Sequence, residues 1–246
     1  NKMALVFQYG SNLDVNRLNG AERLGGAAVL LGIAILKGEK IVFDLWSMGN
    51  QCAVTNLTNG AQSYGAVFYV PDNLISKMDV VEGATGNKTY QRVTKKVKIS
   101  SLQKLSEDTK KLIKKDVEKQ LGKDKELKVG VEIAIITYIG TNKGKVWLNN
   151  SPHKMISDSY ANNILSGIKQ LKIPADYLAD VKKVIKDHNE DHKQIKVKVL
   201  PNFDKELLKK YDSNAIKLSL PIRASLGITL LQHKVKIYSS DETKSV

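Results

Sequence analysis

Apolar and polar positions change period several times along the chain, and each change predicts an element. Ala4 to Phe7 reads as a short buried strand that runs into the polar turn Tyr9-Gly10-Ser11-Asn12, after which Asp14 is placed to cap a helix ending at Gly25-Gly26. Strands are expected at Ala28 to Leu36, Lys40 to Leu45, Ala53 to Leu57 and Ala66 to Val70, punctuated by Gly38, Gly49-Asn50 and Asn59-Gly60. Pro71-Asp72-Asn73 then opens a short helix with Leu74, Ile75 and Met78 on its apolar face, ending at Glu82-Gly83. Tyr90 to Ile99 returns as a strand with Val93, Val97 and Ile99 on one face and Lys96 and Lys98 on the other.

From Ser106 to Gly122 the pattern is that of a charged helix. Ser106 caps it, Glu107 and Asp108 suit its positive end, Ile113, Val117 and Leu121 form a narrow stripe, and Gly122 stops it. Val129 to Ile139 reads as an apolar strand, followed by a turn region at Gly140 and Gly144. Tyr160, Ile164, Ile168 and Leu171 recur at helical spacing, and Pro174 opens a second helix burying Leu178, Val181 and Ile185. Lys186 to Lys193 reads as a linker or a frayed helix end. Beyond it Ile195 to Leu200, Ile216 to Pro221 and Lys234 to Tyr238 read as strands of a small β-rich module over 195–238, with a polar tail over 239–246.

With 246 residues, 42% of them hydrophobic, the chain can bury a real core as one large domain or one domain plus an appendage. The longest apolar run, Gly25 to Leu36, is glycine-broken and falls short of the roughly 20 residues of a membrane helix, so no membrane partner is expected. Asn1-Lys2-Met3 enters an apolar segment without the pattern of a secretory signal, and Cys52 is the sole cysteine, which fits a reducing compartment; a cytoplasmic location is the expectation. The formal charge of +14 is carried mainly by lysine, and aromatic residues make up 6%. Arginine forks and stacking platforms for nucleic acid are therefore scarce, and a solvated lysine-rich surface is the preferred reading.

Three features could carry chemistry. Tyr9-Gly10-Ser11-Asn12 is either a plain turn or a nest of amides for an anion. Asp79-Val80-Val81-Glu82-Gly83 is either a solvated helix end or the seat of a working carboxylate. His188 and His192, at i and i+4, could face a metal, but the sequence supplies no third ligand, so no metal is assigned. His153 and His233 read as structural or surface residues.

Taken in order, Phe7-Gln8-Tyr9-Gly10-Ser11-Asn12, Gly65-Ala66-Val67-Phe68-Tyr69-Val70, and Met78-Asp79-Val80-Val81-Glu82-Gly83 with Tyr90 resemble the γ-glutamylcyclotransferase family. The match continues through Thr137-Tyr138-Ile139 and Ser151-Pro152-His153, covering a domain over 3–187, with the charged helix as an insertion at about 102–126. The resemblance implies an α+β fold built on a mixed β-barrel with flanking helices. It also implies a cofactor-free reaction in which a γ-glutamyl α-amine attacks its own γ-carbonyl, giving 5-oxoproline and a free amine. On that reading Glu82 is the general acid/base with a raised pKa. The backbone of Phe7, Gln8, Tyr9, Gly10 and Ser11, together with Asn12, Tyr90 and Tyr138, binds the substrate. Gln8 departs from the small residue common in the family, and the polar segment Gly83 to Lys88 and the insertion leave the choice of γ-glutamyl substrate open; the Tyr-Gly-Ser-Asn form looks nearest the branch acting on γ-glutamyl amino acids.

Ile216 to Ile228 followed by Lys234-Val235-Lys236-Ile237 looks like the pattern of swapped-hairpin and double-psi barrel domains, which implies packing or homodimer formation through this module in preference to DNA reading. The competing function is a non-catalytic binding module that engages nucleic acid or a protein through the basic surface and this module.

Overall fold

The computed structural model describes residues 3–85, 89–151, 153–193, 196–198 and 236–238. The chain divides into two compact units, 1–189 and 190–246. In the first, β1 (Met3–Gln8), β2 (Val29–Ser47), β3 (Cys52–Pro71), β4 (Tyr90–Leu102) and β5 (Glu132–Gly140) close a barrel in the order β1-β3-β2-β4-β5. All neighbours are antiparallel except β1 and β5, which meet in parallel at Val6 and Ile136 and close the ring. An α+β fold on a mixed barrel is therefore what the chain forms.

Four of the expected strands are halves of two. β2 and β3 form one long antiparallel ladder from Val29 with Tyr69 to Ser47 with Cys52, interrupted by register shifts, one of them between Lys37 and Glu39. Gly38 sits at that shift, and Asn59 pairs with Glu39 rather than turning the chain. The physical reason is solvation: residues 59–62 and Lys37, Gly38 and Lys40 are exposed together, so a solvent-facing stretch of continuous ladder carries turn-like composition. The apolar segments on either side supply Leu31, Leu45, Val67 and Phe68, all fully buried, to the core.

The helices position the barrel's ends. The helix expected from Asp14 to Gly25 is one turn, α1 (Val15–Leu18); Asp14 does cap it, accepting from the amides of Asn16 and Arg17, and hydrogen-bonded turns carry the chain on to Gly26. After α2 (Asp72–Val81), the charged α3 (Glu107–Leu121) is capped by Ser106 and buries Ile113 and Val117. Its Gln120 amide donates to the carbonyl of Ala134 and accepts from that residue's amide, so one side chain does what a neighbouring strand would do for β5. The expected turn at Gly140 to Gly144 is instead the start of α4 (Asn142–Asn150), capped by Thr141; its short apolar face, Gly144 and Leu148, hides it from a periodicity reading.

In α5 (Asp158–Gln170) the helical spacing is realised, with Ile164 and Ile168 fully buried. The stretch expected as linker or frayed end belongs to α6 (Ala175–Asp191) almost throughout. Its end is tied down: Asn189 bonds both the amide and the carbonyl of Ile156, and His188 Nε2 lies 2.7 Å from the carbonyl of Lys154. Among the described residues no three metal-ligating side chains gather, and no helix is long and apolar enough to cross a membrane. Of the second unit, β6 (Lys196–Lys198) and β7 (Lys236–Tyr238) pair in parallel. The expected strand at Ile216 to Pro221, His233, the tail 239–246 and the dimerising role of the module lie outside the described residues.

Candidate active site

At the end of β1 the chain passes from extended backbone into a 3-10 turn, Ser11–Leu13, closed by the Leu13 amide on the Gly10 carbonyl. The amides of Ser11 and Asn12 have no acceptor within such a turn, and they bond no other backbone acceptor among the described residues. On the facing element, Glu82 is the C-cap of α2. Gly83 follows with φ +65°, and the amides of Gly83 and Ala84 bond the carbonyls of Val80 and Asp79. This double closure requires a left-handed residue after the cap, which glycine supplies, and it fixes the backbone from which Glu82 projects.

Asn12 bridges the two elements. Its Nδ2 donates to Glu82 Oε1 at 2.6 Å and to Gln8 Oε1 at 3.3 Å, and its Oδ1 accepts from Arg23 Nη1 at 3.0 Å. Glu82 is half-buried as a residue, with its carboxyl turned inward on Asn12. Burial raises its pKa, opposed by the charge of Arg23, the Asn12 hydrogen bond and the charge of Arg17. Arg23 in turn has its pKa lowered, first by burial and then by Arg17.

Four tyrosines surround this carboxyl. Tyr9 donates to the carbonyl of Tyr138 at 2.6 Å, Tyr90 to that of Thr55 at 2.5 Å, and Tyr138 to Asp79 Oδ1 at 2.8 Å. The Tyr160 oxygen accepts from the Thr55 amide at 3.1 Å and contacts Thr55 Oγ1 at 3.0 Å. Burial pushes the pKa of each phenol up, so all four stand as neutral donors or acceptors at any physiological pH. Tyr160→Phe leaves the buried Thr55 amide without its acceptor, a loss of about 1–3 kcal/mol in stability. A lower melting temperature in this variant is the expected result, and thermal denaturation measures it.

Two adjoining cavities meet at Glu82. A small one, about 30 Å³, is walled by Gln8, Tyr9, Gly10, Ser11, Asn12, Glu82, Tyr90 and Tyr138, together with Thr55 and Tyr160. The Gln8 amide nitrogen is buried with no partner among the described residues. A larger cavity of about 420 Å³ opens beside it toward Arg17, Arg23, Asn50 and Trp147. The structure thus brings eight of the nine sequence-picked residues to one wall. Phe7 is elsewhere: its ring is fully buried in the core and its carbonyl accepts from Thr137 Oγ1. Arg17, Arg23, Thr55 and Tyr160 escaped the sequence reading. Tyr160 reads there as a core position of a helix, and the two arginines lie in what reads as an ordinary helix following the turn.

No family model matches the chain, and no curated protein does. Solved structures do. One described as a gamma-glutamyl cyclotransferase superposes with a TM-score of 0.51 at 18% identity, over 92% of this chain and 99% of its own. The fold is that of the γ-glutamyl cyclotransferases. An uncharacterized protein from Homo sapiens matches with the same score, identity and coverage. A yeast γ-glutamyl cyclotransferase described as specific to glutathione matches with a TM-score of 0.50 at 14% identity, over 79% of this chain and all of its own. At these identities the likeness to γ-glutamyl cyclotransferases is one of fold, and the chemistry has to be argued from the cavity walls.

Proposed function

We propose that this protein is a γ-glutamylcyclotransferase in which Glu82 moves the protons. The observation that carries the reading is a buried carboxyl of raised pKa at the junction of two cavities, held by Asn12 from the turn whose first amides bond no backbone acceptor among the described residues. The α-carboxylate of the γ-glutamyl group binds at the amides of Ser11 and Asn12, and the buried amide nitrogen of Gln8 donates to the same half of the substrate. The tyrosine hydroxyls shape the small cavity and exclude water.

The reaction needs no added reactant. The α-nitrogen forms a bond to the γ-carbonyl carbon, the bond from that carbon to the leaving nitrogen breaks, and two of the three α-ammonium protons end on the leaving amine. Glu82 accepts each proton and passes it on, a role for which a pKa drawn toward neutrality suits a carboxyl. Because nucleophile and electrophile belong to one molecule, folding the substrate into the site supplies much of the rate. Incubating the protein with γ-glutamyl dipeptides, glutathione and γ-glutamyl-lysine and quantifying 5-oxoproline tests the reading; absence of product from every compound contradicts it.

The charge of Arg23 also sets a pH dependence. Its guanidinium holds the Glu82 pKa down against burial, so Arg23→Gln raises that pKa further. The base form is then reached at higher pH, and the acid limb of the kcat/KM profile moves upward in the variant. An unmoved limb would show that Arg23 does not act on Glu82 through its charge.

A further inference from the structure

The larger cavity has an imbalance of charge that proton transfer by Glu82 does not use. Its charged lining consists of Arg17, Arg23 and Glu82. Neither arginine has a carboxylate within ion-pair distance among the described residues. Arg17 reaches Asn50 Oδ1 at 3.4 Å through Nη2, and its Nε is buried without a partner among the described residues. Two guanidiniums on one cavity wall without a carboxylate within ion-pair distance leave a positive charge that favours an anion from outside the chain. The two guanidiniums stand close enough for Arg17 to lower the pKa of Arg23.

Both are fixed in place. Asp14 caps the turn that carries Arg17. The loop that carries Arg23 is closed by Asn19, which donates to the carbonyl of Ala28 and accepts from its amide, each at 2.9 Å. Two of the chain's four arginines are thus spent on one wall of one cavity. Arg23 stands one side chain away from Glu82, through Asn12. An anion held there lies a short reach from the atoms that Glu82 serves.

We propose that Arg17 and Arg23 form an anion site that binds the carboxylate of the departing amino acid, selecting γ-glutamyl compounds whose leaving group is an α-amino acid over those that release a neutral or cationic amine. This rests on the cyclotransferase reading. In a γ-glutamyl amino acid the leaving-group carboxylate is separated from the leaving nitrogen by one carbon, which matches the closeness of Arg23 to Glu82. A cationic amine would face two like charges. Apolar contact for the departing side chain comes from Met48, Val80 and Trp147 on the same cavity.

The test compares γ-glutamyl-alanine with its C-terminal amide, which differ only in that charge. The wild type is expected to favour the acid by about thirtyfold in kcat/KM, mostly through KM, as befits loss of a charge-assisted contact. Arg17→Gln should bring the preference below about threefold, while Arg17→Lys, which keeps the charge without the fork, retains part of it. Equal turnover of acid and amide by the wild type, or a preference that survives in Arg17→Gln, overturns the anion site and leaves the cyclotransferase reading standing. If neither compound gives 5-oxoproline, that reading fails, and calorimetric binding of the same two compounds decides the site. Tighter binding of the acid by wild type that is lost in Arg17→Gln supports it, and equal or absent binding overturns it.

Discussion

Replacing Glu82 by Gln is expected to lower kcat for 5-oxoproline formation by about 10³-fold, the scale of a lost general acid/base, while raising the melting temperature at neutral pH. The two effects share one cause. In the folded protein burial holds the Glu82 carboxyl above its ordinary value of 4.5, so the folded state binds this proton more tightly than the unfolded chain does. Its contribution to stability is present below the ordinary value and is lost as pH rises through the raised one. Glutamine has no proton to lose and keeps that stability. The variant should therefore melt above the wild type at pH 7 and converge with it near pH 4. Thermal denaturation at the two pH values, alongside turnover, measures both. A variant that loses activity and melts lower at pH 7 would show that Glu82 holds the fold together and is not a strained functional group.

Gly65→Val is expected to have the largest effect on stability. Gly65 lies in β3 opposite Ala34, and a Cβ there would come 2.4 Å from Phe7 Cζ and 2.5 Å from the carbonyl oxygen of Gln8. The first neighbour is a fully buried ring and the second is backbone, so neither can move aside alone. Overpacking of this kind costs about 3 kcal/mol, which for a chain of this size lowers the melting temperature by roughly 6–12 °C. Because the displaced strand leads directly into Tyr9-Gly10-Ser11-Asn12, 5-oxoproline formation should fall as well in whatever fraction remains folded. A variant that melts with the wild type would mean that β1 and β3 are less closely packed at this point than the structure has them.

The contrast between these residues shows what was legible in the sequence. Strand β1, the turn after it, and the helix ending at Glu82-Gly83 could be read because each is punctuated by residues whose local chemistry is strong: an apolar run, a glycine in a polar turn, a glycine after a helix cap. Their spacing carried a family resemblance, and the barrel followed from it. Strand continuity through Gly38 and Asn59-Gly60 could not be read, since local composition there reports solvent exposure and the ladder that keeps the chain extended is made across strands. The tied-down end of α6 was invisible for a similar reason, since long-range bonds such as Asn189 to Ile156 decide it, whereas α4 has too short an apolar face, Gly144 and Leu148, for a period to be read. Arg17 and Arg23 were missed because their meaning lies in a pocket that forms only when the hairpin turn at Asn50 and the loop after α1 come together.

In the proposed reaction the γ-glutamyl nitrogen, and not water, attacks the γ-carbonyl. Running the reaction in ¹⁸O-labelled water with a γ-glutamyl dipeptide tests it most directly. Attack by the nitrogen gives 5-oxoproline free of label, in equal amount to the released amino acid. Glutamate carrying one ¹⁸O would contradict it and make the protein a hydrolase on the same fold.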